Sequence, residues 1–470
     1  MAEGKYKYLF KNMALFTISS FVSKMLVFLL VPFYTSVLSE AEYGIADVMQ
    51  TTLLLLIPLL TLNAGEAALR FGLDPDADRA QILKAGIRRV VKSDIVTAAI
   101  CIGAVLLSSA GIIDIEKQYI VFFAVLFICD SFYEYMLLYC QGTEKVQIMI
   151  VGSVSCTFLV IASNLVFLLI LDLGLCGYLF AQMIAYVGAG SLMLFLSDGV
   201  KMLKEPSGES KLAAEMKEYG SSMLMYSTSS WINNALDRYY ILALLGASQN
   251  GLYSAAYKIP AILQVFQRIF AQAWQMSAAK EYKKEQRDKF FSTMYRVYNA
   301  CLVVGCAGII WLLKIIAGFM FQKSFFEAWV LVPPLLISVI FGALEGFLGS
   351  ICLAFKDGRS IGRATGAGAI VNIILNYVFI IEFSTMGAAM ATLASYFTMF
   401  VLALIMVRKY VKLKVHFFRD IVAYSLLIIE SLLVIFNMKN YMMLNGMIVV
   451  ILAAMYVQEL TEMVKKCLKK

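Results

Sequence analysis

The chain of 470 residues is poor in charge: 15% of it is Asp, Glu, Lys or Arg, where soluble domains carry roughly a quarter. A water-soluble enzyme of this length is excluded. Histidine is nearly absent, and the single His416 lies in a basic stretch, which leaves no histidine pair for a catalytic metal. There is no GxxxxGK[ST] phosphate loop, no HExxH helix and no nucleophile elbow, so nucleotide hydrolysis and the common hydrolase chemistries have no residues to carry them. The nine cysteines form no CxxC or other ligand-spaced cluster, which excludes a zinc site and a disulfide framework. No secretory signal is expected, because the first apolar stretch is long, holds Lys24 and Pro32, and lacks a small-residue cleavage site.

What the chain has instead is apolar length. Hydrophobic residues make up 61%, mean hydropathy is +0.78, and about 20 such residues suffice to cross a bilayer. Fourteen stretches of that kind occur. Runs such as LVFLLVPFY and VFFAVLFICD are apolar on all sides rather than alternating, which predicts helices and not barrel strands. The expected fold is an all-α integral membrane protein of about fourteen spans.

Basic residues set the orientation. With the amino terminus inside, thirty of the forty Lys and Arg fall in inner segments and four in outer ones, leaving six within spans. Both termini are therefore expected in the cytoplasm. The net charge of +8 is mainly this topology signal, available to anionic headgroups of membrane lipids. No nucleic-acid partner is expected, since even EYKKEQRDK at 281–289 mixes signs.

The chain also resembles itself at an offset of 207 to 212 residues. Ser20, Ser23, Leu38 and Gly44 fall on Ser227, Ser230, Leu245 and Gly251, and Cys140, Ile161 and Asn164 on Cys352, Ile373 and Asn376. Six spans repeat as six in one orientation, which predicts two lobes facing a central space. The expected division is an N-lobe at 1–197, a cytoplasmic linker at 198–218, a C-lobe at 219–407, and an appended helix pair with a basic tail at 408–470.

An ionisable side chain in hydrocarbon costs about 2.5 to 3.5 kcal/mol and usually faces a bundle interior or water. Lys24, Glu66, Arg70, Asp237, Arg238, Lys258 and Arg268 lie in spans 1, 2, 7 and 8, the first two of each repeat, and Arg296 lies near the inner start of span 9. A basic chamber between the lobes follows. Glu66 and Arg70 are four apart and suited to neutralise each other, whereas adjacent Asp237 and Arg238 point about 100° apart and are expected to find different partners. Asp130 and Glu134 in span 4, at 119–140, suit a proton relay, a cation or a hidden Lys partner equally.

Fourteen spans in a 6+6+2 arrangement, the opening KNMALFTISSFVSKMLVFLLVPFYTSVLSEAEYGIADV and the segment NNALDRYYILALLGASQNGLYSAAYKIP together resemble the polysaccharide transport flippases, the O-antigen and capsule repeat-unit exporters of the multidrug/oligosaccharidyl-lipid/polysaccharide superfamily. The resemblance covers essentially the whole chain. It implies a bacterial-type cell-membrane transporter, not an enzyme, that moves a polyprenyl-diphosphate-linked oligosaccharide from inner to outer leaflet by alternating access. It also implies a lipid-linked glycan substrate, with glycosyltransferases and a polymerase as possible neighbours. Lys24, Arg70, Arg238 and Arg268 are then the expected diphosphate contacts, with Lys258, Glu66 and Gln264 beside them. Ser19, Ser20, Ser23, Asn63, Ser227, Ser230, Asn233 and Asn234 are candidates to line a wet glycan path or to cross-link helices.

No cofactor is expected beyond a coupling ion. Some members of the resembled family imply an oxygen-ligand cation site joining spans 7, 11 and 12, where Asp237, Asn372, Asn376 and Thr392 stand in this sequence. One carboxylate with neutral oxygens suits Na+, a hard ion; H+ or the membrane potential are alternatives. Two rivals stay open: a multidrug and toxin exporter, which would prefer an acidic site, and a non-transporting assembly platform, for which the short loops leave little surface.

Overall fold

The computed structural model describes residues 30–74, 76–113, 115–204, 211–282, 284–355, 357–459 and 461, and every regular element among them is helical. Contacts group the chain into two compact units, Met1–Ala235 and Leu236–Lys470. That division falls inside a helix rather than in the 198–218 linker. The reason is that the helix Lys211–Ser222 packs against elements of the first unit.

The first unit contains α1 (Val31–Val37), α2 (Glu40–Thr61), α3 (Ala64–Gly72), α4 (Arg79–Ser109), α5 (Lys117–Gly142), α6 (Val146–Asn164, continued by a π-helical turn to Ile170), α7 (Gly174–Leu196), α8 (Gly199–Lys204) and α9 (Lys211–Ser222). Helix α10 (Leu224–Leu245) carries the chain from one unit into the next. The second unit continues with α11 (Ala247–Ala256), α12 (Pro260–Glu281), α13 (Arg287–Trp311), α14 (Leu313–Met320), a 3-10 segment (Lys323–Leu331), α15 (Val332–Ala354), α16 (Gly358–Val407), α17 (Phe417–Ile435) and α18 (Tyr441–Met455).

Eight of the described helices are long and apolar enough to cross a membrane, fewer than the fourteen stretches of the sequence reading. Most of the first stretch lies outside the described residues, and α16 turns back on itself at Ser384 (φ 55°, ψ −142°), so its 50 residues hold two crossings. Helices α10, α12 and α17 are of crossing length but diluted by polar residues, and α18 is short. The membrane assignment follows from where the apolar surface points. In the apolar part of α4 only 22% of residues are buried, with Ile95, Ile100, Ile102 and Leu106 left exposed, whereas the stretch ending in α15 is 83% buried. An apolar face that size outside a protein core needs hydrocarbon against it.

Local chemistry explains the SEAEYG turn. Ser39 and Glu42 form a reciprocal capping box at the start of α2: the Ser39 hydroxyl accepts from the Glu42 N–H (3.3 Å), and the Glu42 carboxylate accepts from the Ser39 N–H (2.9 Å). The other Glu42 oxygen accepts the Leu175 N–H at 3.0 Å, placing a carboxylate on the first turn of α7. Gly174 there has φ +51°, and a Cβ would meet that oxygen at 2.6 Å, so glycine is required on both counts.

Two spans read as continuous are broken. Leu62 and Asn63 both adopt left-handed backbone (φ 54° and 50°), separating α2 from α3 four residues after Pro58. Two consecutive non-glycine residues in that region store strain. They persist because Asn63 Nδ2 donates to the Gly220 carbonyl at 3.1 Å and the Ser227 hydroxyl donates to Asn63 Oδ1 at 3.2 Å. The second break, at residues 257–259, separates α11 from α12 ahead of Pro260.

The appended pair is tied to α13 near both ends. Near one end Tyr456 donates to Asp420 (2.9 Å), Asn299 Nδ2 to the Tyr456 oxygen (3.3 Å) and Tyr424 to Asn299 (2.9 Å), while Arg419 pairs with Glu459 at 2.7 Å. Close by, His416 Nε2 lies 3.2 Å from Arg296 Nη1, so that nitrogen is the acceptor. Near the other end Trp311 donates to the Met442 carbonyl (2.9 Å) and Lys314 to Asn437 (2.7 Å).

Candidate functional site

The break in the second span opens onto a cavity. It has a volume of about 360 Å³ and is lined by Ile57, Pro58, Thr61 and Asn63 at the break, Glu66 on α3, Val90 on α4, Ser131, Glu134 and Tyr135 on α5, and Ser227. Its ionisable side chains are acidic. Glu66 and Glu134 lie within electrostatic reach of each other, and Asp130, one turn before Glu134, lies within reach of it in turn. Nearby, Ser131 donates to Asp94 at 3.0 Å. None of these four carboxylates has an ion-pair partner among the described residues. Helices α4 and α5, which leave Ile95, Ile100, Val121 and Val125 exposed, thus turn Asp94, Asp130 and Glu134 away from that face, as intramembrane ionisable groups do.

This geometry corrects one expected pairing. Arg70 does not neutralise Glu66. It reaches one turn onward to Asp74 at 2.7 Å, with both side chains about half exposed, because the chain leaves α3 just beyond and brings Asp74 over the last turn. Asn63 and Ser227, two candidates for a glycan lining, bond to each other and act as a helix cross-link that also borders the cavity. Lys24, Ser19, Ser20 and Ser23 lie outside the described residues, as do the side chains of Ser230, Asn233 and Asn234.

The second unit assembles a different constellation around Asp237, which is 3% exposed. Its carboxylate accepts the Tyr253 hydroxyl at 2.6 Å, the Tyr257 hydroxyl at 3.4 Å, the Arg238 backbone N–H at 3.0 Å and Arg238 Nη1 at 3.4 Å. The expectation that Asp237 and Arg238 take separate partners is therefore wrong. The Arg238 side chain is long enough to curl back over its own helix, where it also lies 4.9 Å from the Tyr257 ring centre. Tyr396 on α16 lies within electrostatic reach of Asp237, Arg238 and Glu345.

Of the expected cation ligands, Thr392 lies beside Tyr253, next to Asp237. Asn372 and Asn376 pair with each other, Asn376 Nδ2 donating to Asn372 Oδ1 at 2.9 Å and its own Oδ1 left without a partner among the described residues. A carboxylate offers about four acceptor sites, and all four of Asp237's are taken. In this conformation a cation would have to displace a tyrosine hydroxyl to reach it.

Arg268 is exposed on α12, and among the described residues no carboxylate lies within ion-pair distance of it. Lys258 sits half-buried in the break before α12, and Gln264 half-buried one turn into that helix. Among the residues that sequence reasoning missed are Glu345 and the paired breaks. The first lies in the run GALEGFLG with nothing near it to mark it, and the signal for the second was Pro58 followed by Asn63.

Two helical units with interrupted spans, polar residues at the interruptions and apolar exteriors define a multi-pass membrane protein of transporter architecture. Residues 9–275 match the sequence model of the family described as polysaccharide biosynthesis protein, and the chain belongs to that family. Over 199 residues it is 26% identical to the probable low-salt glycan biosynthesis flippase Agl15 of Haloferax volcanii, a match that spans 41% of each chain. In fold it is similar to the lipid II flippase MurJ in an inward closed conformation, with a TM-score of 0.67, 13% identity, and 97% of this chain and 100% of that one covered. It is also similar to an inward-facing multidrug resistance MATE family transporter of the MOP superfamily, with a TM-score of 0.64, 11% identity, and 82% and 94% covered.

Proposed function

We propose that this chain is a flippase that carries a polyprenyl-diphosphate-linked oligosaccharide from the inner to the outer leaflet of the cell membrane by alternating access. Membership of a polysaccharide biosynthesis family and similarity to a glycan biosynthesis flippase supply the substrate class. The observation in the molecule that carries the reading is Arg268. A guanidinium without a carboxylate on a membrane helix is costly unless an anion or water meets it, and a diphosphate matches its forked donors. Lys24 and Arg238 are the proposed companions. Arg70, already held by Asp74, contributes less.

The acidic cavity of the first unit would repel a diphosphate. Its Glu66, Glu134 and Ser227 suit sugar hydroxyls, which donate to carboxylates. Coupling to Na+ or H+ through Asp237 and Thr392 belongs to this proposal, as do cytoplasmic termini and glycosyltransferases as neighbours. Replacing Arg268 or Lys24 with alanine is expected to abolish glycan export at unchanged membrane abundance. Normal export from both variants would overturn the assignment.

A cation exporter is the second reading, and the unpaired Glu66 and Glu134 are what favour it. A drug-resistance assay separates the two: the flippase reading expects no protection of cells from lipophilic cations.

A further inference from the structure

Helix α17 hides a carboxyl group that the transport reading does not use. Glu430 has no solvent exposure, and neither carboxyl oxygen has a hydrogen-bond partner among the described residues. Leu427 and Val434, one turn to either side of it, are 0% and 1% exposed, so this face of α17 is packed shut. From α18, Asn445 is also fully buried. It donates Nδ2 to the Glu430 backbone carbonyl at 3.3 Å, while its own Oδ1 has no donor among the described residues.

On these two helices three buried oxygens, two on Glu430 and one on Asn445, thus lack a donor among the described residues. The titratable groups around them are few. From α13, Cys306 lies within electrostatic reach of Glu430. Helix α18 contains no Asp, Glu, Lys, Arg or His. On α15, Glu345 acts on Tyr396 instead. Asp420, ten residues earlier on α17, lies about 15 Å away along the helix.

An ionised carboxylate in this position would be an unpaired charge in packed apolar protein inside a bilayer, which real structures avoid. A metal ion would require about six oxygen ligands, whereas Glu430 is flanked by Cys306, Leu427 and Val434, and Asn445 by Ile448 and Leu452. A proton needs no room, and it removes the uncompensated charge from the buried carboxyl. We propose that Glu430 is a proton-binding site: a neutral carboxylic acid while α13, α17 and α18 are packed, whose deprotonation loosens the appended pair from α13.

The test uses the full-length protein in lipid nanodiscs. Infrared spectra of the wild type and Glu430→Gln are compared in the carbonyl region of protonated carboxylic acids, and the melting temperature of each is followed from mildly acidic to alkaline pH. One protonated-acid band present in the wild type is expected to be missing from Glu430→Gln, and the wild type is expected to lose more melting temperature on alkalinisation than the variant. Superimposable spectra, or an equal alkaline loss in both proteins, would overturn the proposal. So would failure of Glu430→Gln to assemble in the membrane, because glutamine reproduces the shape and neutrality of the protonated acid.

Discussion

Tyr253→Phe removes one oxygen from a side chain with no solvent exposure and leaves the ring in place, so no sizeable cavity opens. What it deletes above all is the 2.6 Å hydrogen bond to Asp237 Oδ2, together with the hydroxyl's contact with Thr392. That length belongs to the charge-assisted O–H···O⁻ class, and such bonds contribute about 1.5 to 3 kcal/mol net. The remaining donor to that oxygen, Tyr257 at 3.4 Å, is at the long limit and cannot replace it. A destabilisation of about 2 kcal/mol is therefore expected, read by unfolding in mixed micelles of rising SDS fraction. The same substitution in an Asp237→Asn background should cost much less, giving a coupling energy of about 1 kcal/mol or more in the double-mutant cycle. Freeing Oδ2 also opens an acceptor, so the variant is expected to gain thermal protection from added Na+ relative to wild type. Additive effects in the cycle, or a cost below about 0.5 kcal/mol, would refute the claim that Tyr253 acts through Asp237.

A Cβ at Gly220 would land on the Leu62 carbonyl oxygen, backbone that has nowhere to go; Gly220→Ala should cut membrane abundance several-fold, and Gly305→Ala, with only ordinary contact, should not. Gly387→Ala meets the Phe379 carbonyl at the turn of α16 and is expected to behave like Gly220→Ala in the same immunoblot. Asp357 caps α16, where the Ser360 hydroxyl (2.6 Å), the Tyr410 hydroxyl (2.7 Å) and the Ser360 N–H (3.2 Å) hold its carboxyl down at about 2. Its ordinary value is near 4, so its contribution is complete above that and fades as pH falls toward 2. Asp357→Asn should therefore lower the melting temperature at neutral pH and close the gap to wild type in acid.

The helical membrane class was legible because hydrocarbon selects composition directly: no soluble core needs Ile95, Ile100 and Leu106 on its outside. SEAEYG entered the sequence reading only as part of the opening segment that carries the resemblance, and its role, a carboxylate shared between the starts of α2 and α7, is a long-range contact that spacing does not reveal. Charges stood out in the spans by residue type, but the partners of Arg70 and Arg238 were not readable. Arg70 turns to Asp74 because the chain bends just past α3, and Arg238 folds back onto its neighbour Asp237 because its stem is flexible. The break at Leu62 and Asn63 escaped notice since Asn63 tolerates left-handed backbone but Leu62 does not favour it; the bonds from Asn63 to Gly220 and Ser227 hold it there. Glu430 passed unremarked for a similar reason: on the sequence it is one carboxylate in an apolar run, and only packing shows that nothing answers it.

The central claim is tested most directly in sealed proteoliposomes holding the purified protein and a fluorescent polyprenyl-diphosphate oligosaccharide, with a membrane-impermeant quencher reporting which leaflet the headgroup occupies. Wild-type protein should equilibrate the probe between leaflets, and Arg268→Ala should leave it trapped where it was inserted. Equal movement by both proteins, or none by the wild type, would contradict the account.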